Sequence, residues 1–320
     1  VRKEAENMHY YIIKRTCYLI LTLLVASVFT FVVVNAIPGE PALVLTQHLF
    51  IGFDEAASPE LVSDVSERFD LDKPLLQQYT DWIWGILHGD PGKSILFNKP
   101  VIKLLALSVP PTIILTTFSM LFAVATGLCL GIYSAVRQNR ISDHIIRALT
   151  VFSVSMPGFW VAVMLILVFS VWLKLTPVAG YGGTQYIILP AIALGLHTMA
   201  SVTRIMRTSL IETLDKPYVV FARAKGLPAG KVLFSHAFKN AVLPVLTVIG
   251  MSYGALLAGS VVIETIFAWP GVGALLMKAV SARDTVLIES TIMVIVFMFL
   301  VVNFVIDILY HVIDPRINYE

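Results

Sequence analysis

The chain has 320 residues, of which 57% are hydrophobic and 14% charged. Ordinary soluble domains carry roughly 25% charged residues, so a mean hydropathy of +0.82 excludes a water-facing surface over much of this chain. The net charge of +2 argues against nucleic acid as a partner. Cys17 and Cys129, each inside an apolar run, form neither a disulfide framework nor a thiolate metal cluster. These limits leave an all-α, polytopic membrane protein.

A helix crossing about 30 Å of hydrocarbon needs about 20 mostly apolar residues. About six stretches qualify: Thr16–Ile37, Ser108–Ala135, Ala148–Leu173, Tyr186–Ile205, Ala241–Phe267 and Val286–Tyr310. The first follows Lys14 and Arg15 as a signal peptide would. Its apolar run is longer than a signal core of roughly 7–15 residues, and no small-x-small site precedes Pro38, so it is read as a retained span. With the N-terminus inside, fifteen Lys and Arg fall in cytoplasmic segments and eight outside. The positive-inside rule therefore places both termini in the cytoplasm. Prolines 157, 190 and 244 fall within spans three, four and five, where a missing backbone donor favours bends.

Two connections are long. The extracytoplasmic segment 38–107 holds ten of the 21 acidic residues. It carries a helical pattern from Ser58 to Phe69, with Ser58 as N-cap and Pro59 in the first turn. Trp82 and Trp84 suit an amphipathic piece at the membrane interface. The second is the cytoplasmic loop 206–240, whose stretch Glu212–Pro228 is fully punctuated. Asp215 is placed to cap a helix, with Pro217 in its first turn. Arg223 and Lys225 suit the negative end of its dipole, Gly226 the left-handed position after it, and Pro228 a stop. Tyr218, Val219, Phe221 and Ala222 are expected as exposed apolar residues on this short helix. Alone it would be marginal. It lies either on lipid headgroups or, as a helix-in-groove element, against a cytoplasmic protein.

Ala222-Arg-Ala-Lys-Gly-Leu227, followed by His236-Ala-Phe-Lys-Asn-Ala-Val-Leu-Pro244, resembles the loop of permease subunits of ABC importers. Within these it resembles the dipeptide/oligopeptide/nickel permease family. Ile37-Pro-Gly-Glu-Pro41, His88-Gly-Asp-Pro-Gly-Lys-Ser94, Ser155-Met-Pro157, Ile188-Leu-Pro190, Glu264-Thr-Ile-Phe-Ala-Trp-Pro-Gly-Val-Gly273 and Asp314-Pro-Arg316 agree, so the likeness covers nearly the whole chain. Val220 and Phe221 stand where the broad loop motif begins with Glu and Ala. The Leu-Pro at 243–244 lies further from Gly226 than in that motif. The resemblance implies a type I ABC importer permease fold over residues 1–320 as one domain, in a bacterial cytoplasmic membrane. It implies a second homologous permease, two cytoplasmic ABC ATPases that bind ATP and Mg, and an extracytoplasmic substrate-binding protein. This chain then needs no cofactor of its own. The ATPase-coupling helix would comprise Asp215, Pro217, Tyr218, Phe221, Ala222, Arg223, Ala224, Lys225 and Gly226. The cargo would be small peptides or nickel in a complex. The short loop 174–185 resembles that of nickel, glutathione and oligopeptide members, whereas some dipeptide members carry a longer insertion there; Gly180-Tyr-Gly-Gly183 followed by Ile187-Ile-Leu-Pro190 is most similar to nickel-type members.

Several local patterns compete with this reading. Asp90-Pro-Gly-Lys-Ser94 contains Gly-Lys-Ser, but a phosphate loop needs glycine where Leu87 stands. Gly250-Met-Ser-Tyr-Gly254 matches a serine-hydrolase pattern. An intramembrane protease would use Ser252 with His197 as base. The bland alternative is close helix packing through Gly250, Gly254, Ala258 and Gly259. An ion channel is a further rival, without a charged or carbonyl-rich filter sequence to support it. His197, with Met199 and Met251, is a candidate lining of a translocation path, although a neutral histidine bonded to a neighbouring helix and core methionines explain the same residues. Glu264, Trp269, Pro270 and Gly271 read as a turn in an outer gate, with Glu264 structural.

Overall fold

The computed structural model describes residues 2–36, 41–46, 58–68 and 72–313. The Ile37-Pro-Gly-Glu segment ahead of Pro41, Phe69 and the Asp314-Pro-Arg316 motif lie outside the described residues. In chain order the helices are α1 (Arg2–Asn35), α2 (Pro41–Thr46), α3 (Pro59–Arg68), α4 (Leu75–Leu87), α5 (Val101–Val136), α6 (Ile141–Ser155) and α7 (Gly158–Leu165). They continue with α8 (Thr184–Leu214), α9 (Pro217–Ala224), α10 (Ala229–Lys231), α11 (Phe238–Ala241), α12 (Leu243–Ile266), α13 (Val272–Ala282) and α14 (Thr285–Ile313). A π-helix, Ile166–Trp172, continues α7, and another, Val232–Ala237, joins α10 to α11. β1 (Lys93–Ser94) and β2 (Lys99–Pro100) form one small antiparallel ladder.

Five helices are long and apolar enough to cross a membrane: 13–35, α5, α8, α12 and 285–306. A sixth span exists if α6 and the α7 π-continued helix count as one. In the third span, expected over Ala148–Leu173 with a bend at Pro157, the helix is broken outright. The two halves meet at 109°. Met156, the residue before Pro157, is forced into extended backbone (φ −84°, ψ 134°), and Pro157 itself is extended (ψ 134°). Pro190 instead sits inside an unbroken α8, and Pro244 occupies the first turn of α12, where its lost donor is one of the helix's unpaired ones anyway. The outer helix expected from Ser58 to Phe69 is α3, with Pro59 at its start.

The chain divides into two compact units. One comprises Val1–Thr112 and Pro270–Phe304. Its core joins Val34, Val101, Leu105, Leu275, Ala279, Leu287 and Ile288. Beside this core Phe31 meets Tyr79 edge-on and stacks with Trp82, and the Trp82 indole donates to Ser290 Oγ at 3.3 Å. Trp82 is therefore buried, whereas Trp84 stays exposed.

Asp284 ties this unit together. Fully buried, it caps α14 by accepting from Leu287 N at 3.1 Å. Its other oxygen accepts from Ser94 Oγ at 2.6 Å and Leu96 N at 3.0 Å. The Gly-Lys-Ser segment thus ends in a buried structural hydroxyl.

The second unit, Ile113–Trp269 with Val305–Glu320, rests on close approach of α5 to α8. A Cβ at Gly127 would lie 2.9 Å from Met199 O, one at Gly131 2.8 Å from Thr203 O, and one at Gly195 2.5 Å from Ser119 O. Small residues let the two backbones meet where hydrophobic burial between lipid-solvated helices supplies little drive. One apolar cluster of this unit includes Leu115, Leu194, Leu256, Ile263 and Trp269. Another joins Val202, Met206 and Leu210 of α8 to Val219, Ala222, Val232 and Val245.

Candidate functional site

The punctuated stretch of the 206–240 loop is α9. Pro217 opens it after an extended Lys216 (ψ 143°), and Gly226 ends it at φ +77°, the left-handed region. Asp215 does not cap it. It is the C-cap of α8, still near helical geometry (φ −90°, ψ −3°), because Pro217 requires an extended residue at 216, one position later than Asp215. The faces also differ from expectation. Val219 and Ala222, three apart, are buried at 0% and 5% exposure against Leu210 and Val232. Tyr218, Val220 and Phe221 are exposed.

The helix therefore has an anchored inner side and a free apolar outer side. Lys225 Nζ lies 4.7 Å above the Phe221 ring, and Asn240 Nδ2 donates to the Tyr218 hydroxyl at 2.7 Å. Both contacts fix the presentation of the outer side. Arg223, Ala224 and Lys225 are exposed at the helix end, where cations suit the dipole.

Within the same unit, α7, α8 and α12 enclose a groove of about 710 Å³. His197, Met251 and Ser252 line it, with Phe159, Thr198 and Gly259. Met199 does not. It is 9% exposed and packs with Ala123 and Ala200, because two residues further along a helix is about 200° around it. His197 and Ser252 share the groove without a hydrogen bond between them among the described residues. Among the described residues no group of three or more His, Cys, Asp or Glu is placed to hold a metal. Of the small residues on α12, Gly250 and Gly254 are buried in packing, while Ala258 and Gly259 are exposed.

At the far end of α12, Glu264 is fully buried and its carbonyl accepts from Trp269 N at 2.8 Å. The turn reverses through Ala268 at φ +49°. Trp269 is buried, and Tyr181 meets its ring edge-on at 4.7 Å between centroids. Gly180 N donates to Phe267 O at 2.8 Å. The glycine-rich run of the 174–185 loop is thus a clamp on this turn. Pro270 follows, exposed, and Gly271 caps α13 in extended conformation.

Sequence reasoning missed Asp143, Arg207 and Asp284. Asp284 carried a readable signal, a carboxylate immediately before an apolar run. Asp143 and Arg207 carried none, being 64 positions apart.

A helical body with five, or up to six, candidate spans and a short helix exposed on one side suits a membrane transport subunit. The family model for "Binding-protein-dependent transport system inner membrane component" matches residues 127–319, and that for its N-terminal part matches residues 8–100. The chain belongs to this family. It is a multi-pass inner-membrane permease of an ABC-type system, a transport component rather than an enzyme, and works with a binding protein and an ATPase. It is 35% identical over 317 residues to a putative peptide transport system permease protein of Brucella suis, covering 97% of this chain and 99% of the relative. It is 35% identical to the dipeptide transport system permease protein DppB of Escherichia coli K12, covering 98% and 100%. The di/tripeptide transport system permease protein DppB of Pseudomonas aeruginosa is also 35% identical, covering 97% and 99%.

Proposed function

We propose that the chain is one of two permease halves of an importer that carries di- and tripeptides across the cytoplasmic membrane by alternating access. Residues 1–320 act as one permease domain beside a second, related permease, with both termini, and the 206–240 loop, in the cytoplasm. Residues 38–107 face the binding protein. In this reading α9, extended to Asp215 and Gly226, is the coupling helix. Its exposed Tyr218, Phe221 and Lys225 enter a groove on one of two ATPases, which hold ATP and Mg. The observation that carries the reading is the two-sidedness of α9: Val219 and Ala222 anchor it, while Tyr218, Val220 and Phe221 on its outer side are exposed. A short helix held by one side moves its own body when its other side is pulled.

Peptide is favoured over nickel on two grounds. The relatives above are named for peptides. The Gly-Tyr-Gly-Gly run, which suggested nickel, has a packing role on Trp269. His197 and Met251 are then groove residues passed by the cargo, and Glu264, Trp269, Pro270 and Gly271 form the outer gate with Glu264 as a structural member.

The test is uptake of labelled di- and tripeptides, and of nickel with and without histidine, by cells lacking the chain and cells with it restored. Restored peptide uptake alone is expected. Restored nickel uptake with unchanged peptide uptake would reverse the substrate assignment. In the same cells, Gly226→Arg places a bulky residue at φ +77°, straining the helix end by roughly 1 kcal/mol and crowding the docking side. The variant should insert normally but fail to co-purify with the ATPase. Normal coupling would remove α9 from this role.

A further inference from the structure

Asp143 is completely buried beneath the short turn joining α5 to α6, and its side-chain oxygens accept four hydrogen bonds. Ser134 Oγ, near the end of α5, donates to Oδ1 at 2.5 Å, and Asn139 N, in the turn at φ +61°, donates to Oδ2 at 2.9 Å. The other two come from one side chain on α8: Arg207 Nε to Oδ1 and Nη2 to Oδ2, both at 2.7 Å. This is a two-pronged guanidinium–carboxylate pair, the geometry that fixes register as well as distance. A buried pair of this kind is weak evidence for stability alone, since apolar residues of equal volume often serve as well; its best-attested use is to specify one arrangement.

Its position gives that arrangement a use. Arg207 stands between Met206 and Leu210, the α8 residues that pack with Val219 and Ala222 of α9. Asp143 is in the first turn of α6, which runs to the break at Met156–Pro157. Immediately past the break, Gly158 and Phe159 form a wall of the 710 Å³ groove. An apolar contact lets helices slide past each other, whereas a forked ion pair with both partners locked does not. We propose that Arg207 and Asp143 are positioning residues, a strut that makes the α5–α6 corner follow α8 when α9 is displaced, and so carries that displacement to the groove wall.

The proposal rests on the coupling-helix reading and is tested apart from it. The full complex with its binding protein is reconstituted in proteoliposomes, and peptide taken up per ATP hydrolysed is measured. Asp143→Asn combined with Arg207→Gln removes both charges together, so no charge is left buried alone. Hydrolysis is expected within about 2-fold of wild type, while uptake per ATP falls about 10-fold, inside the usual range of coupling between sites. Arg207→Lys keeps the charge and loses the fork, and is expected to lower the ratio about 3-fold. A ratio equal to wild type in whichever of the two variants inserts overturns the strut. An unaltered complex that takes up no peptide with ATP overturns the proposed peptide-import reading and the strut with it. Wild-type coupling alongside fully coupled variants overturns the strut alone.

Discussion

Asp284 shows how much a single carboxylate can organise in this chain. It caps α14 and accepts from Ser94 and Leu96, 190 and 188 positions away in sequence. Replacing it by alanine leaves Ser94 Oγ, Leu96 N and Leu287 N without their acceptor. Bonds to a charged group contribute about 1.5–3 kcal/mol each, so Asp284→Ala should lower unfolding stability by at least about 2 kcal/mol. Ser94→Ala should cost about 1 kcal/mol, with Leu96 and Leu287 still paired. Thermal unfolding of the detergent-solubilised protein reads both. Equal midpoints for Asp284→Ala and wild type would refute the tie. The capping half of this arrangement was readable, because a carboxylate before an apolar run is a helix start. The Ser94 half was not, since nothing local connects two residues that far apart. The same separation hides Asp143 from Arg207.

At the scale of elements, the sequence legibly marked those whose signals are local. The spans declare themselves by apolar length, and α9 by proline at its start and glycine at its end. Its faces were misjudged because the burial of Val219 and Ala222 depends on Val232 and Leu210, which arrive from neighbouring segments. The break at Pro157 was readable as a bend, but its 109° was not, because packing sets the angle. Helix α13 escaped notice because a helix of eleven residues is too short to register as a span.

The α5–α8 seam makes a sharper prediction at this scale. Gly131 stands where a Cβ would already be 2.7 Å from Met206 Cβ. Gly131→Leu must push the two helices apart, and overpacking of this kind costs about 1–3 kcal/mol or more. Since Met206 also packs with α9, the variant should show both a lower unfolding temperature and reduced ATPase co-purification. Gly230→Leu, where a Cβ has nothing within 4 Å, is the control and should change neither.

For the whole molecule the testable property is topology. In the proposed orientation, which follows the distribution of Lys and Arg, the α5–α6 corner faces the cytoplasm and the 174–185 loop faces outward. In a chain with Cys17 and Cys129 replaced by serine, a membrane-impermeant maleimide added to intact cells should label Tyr181→Cys. It should label Gln138→Cys only after the membrane is opened; both positions are exposed. The reverse pattern would invert the molecule and place α9 on the wrong side for any ATPase.

The break at Met156–Pro157 has a further consequence for the surrounding lipid. Only Gly158–Trp172 remains on the far side of it, fifteen residues, or about 22 Å as a helix. The hydrocarbon layer is about 30 Å thick. A half-helix of this length falls short of that layer, and local thinning of the bilayer is one way such a mismatch is accommodated. The resulting elastic cost depends on the lipid. Reconstitution in bilayers of progressively longer acyl chains should therefore slow transport while leaving substrate affinity of the binding protein unchanged. The thickness of the host membrane becomes a working parameter of the permease.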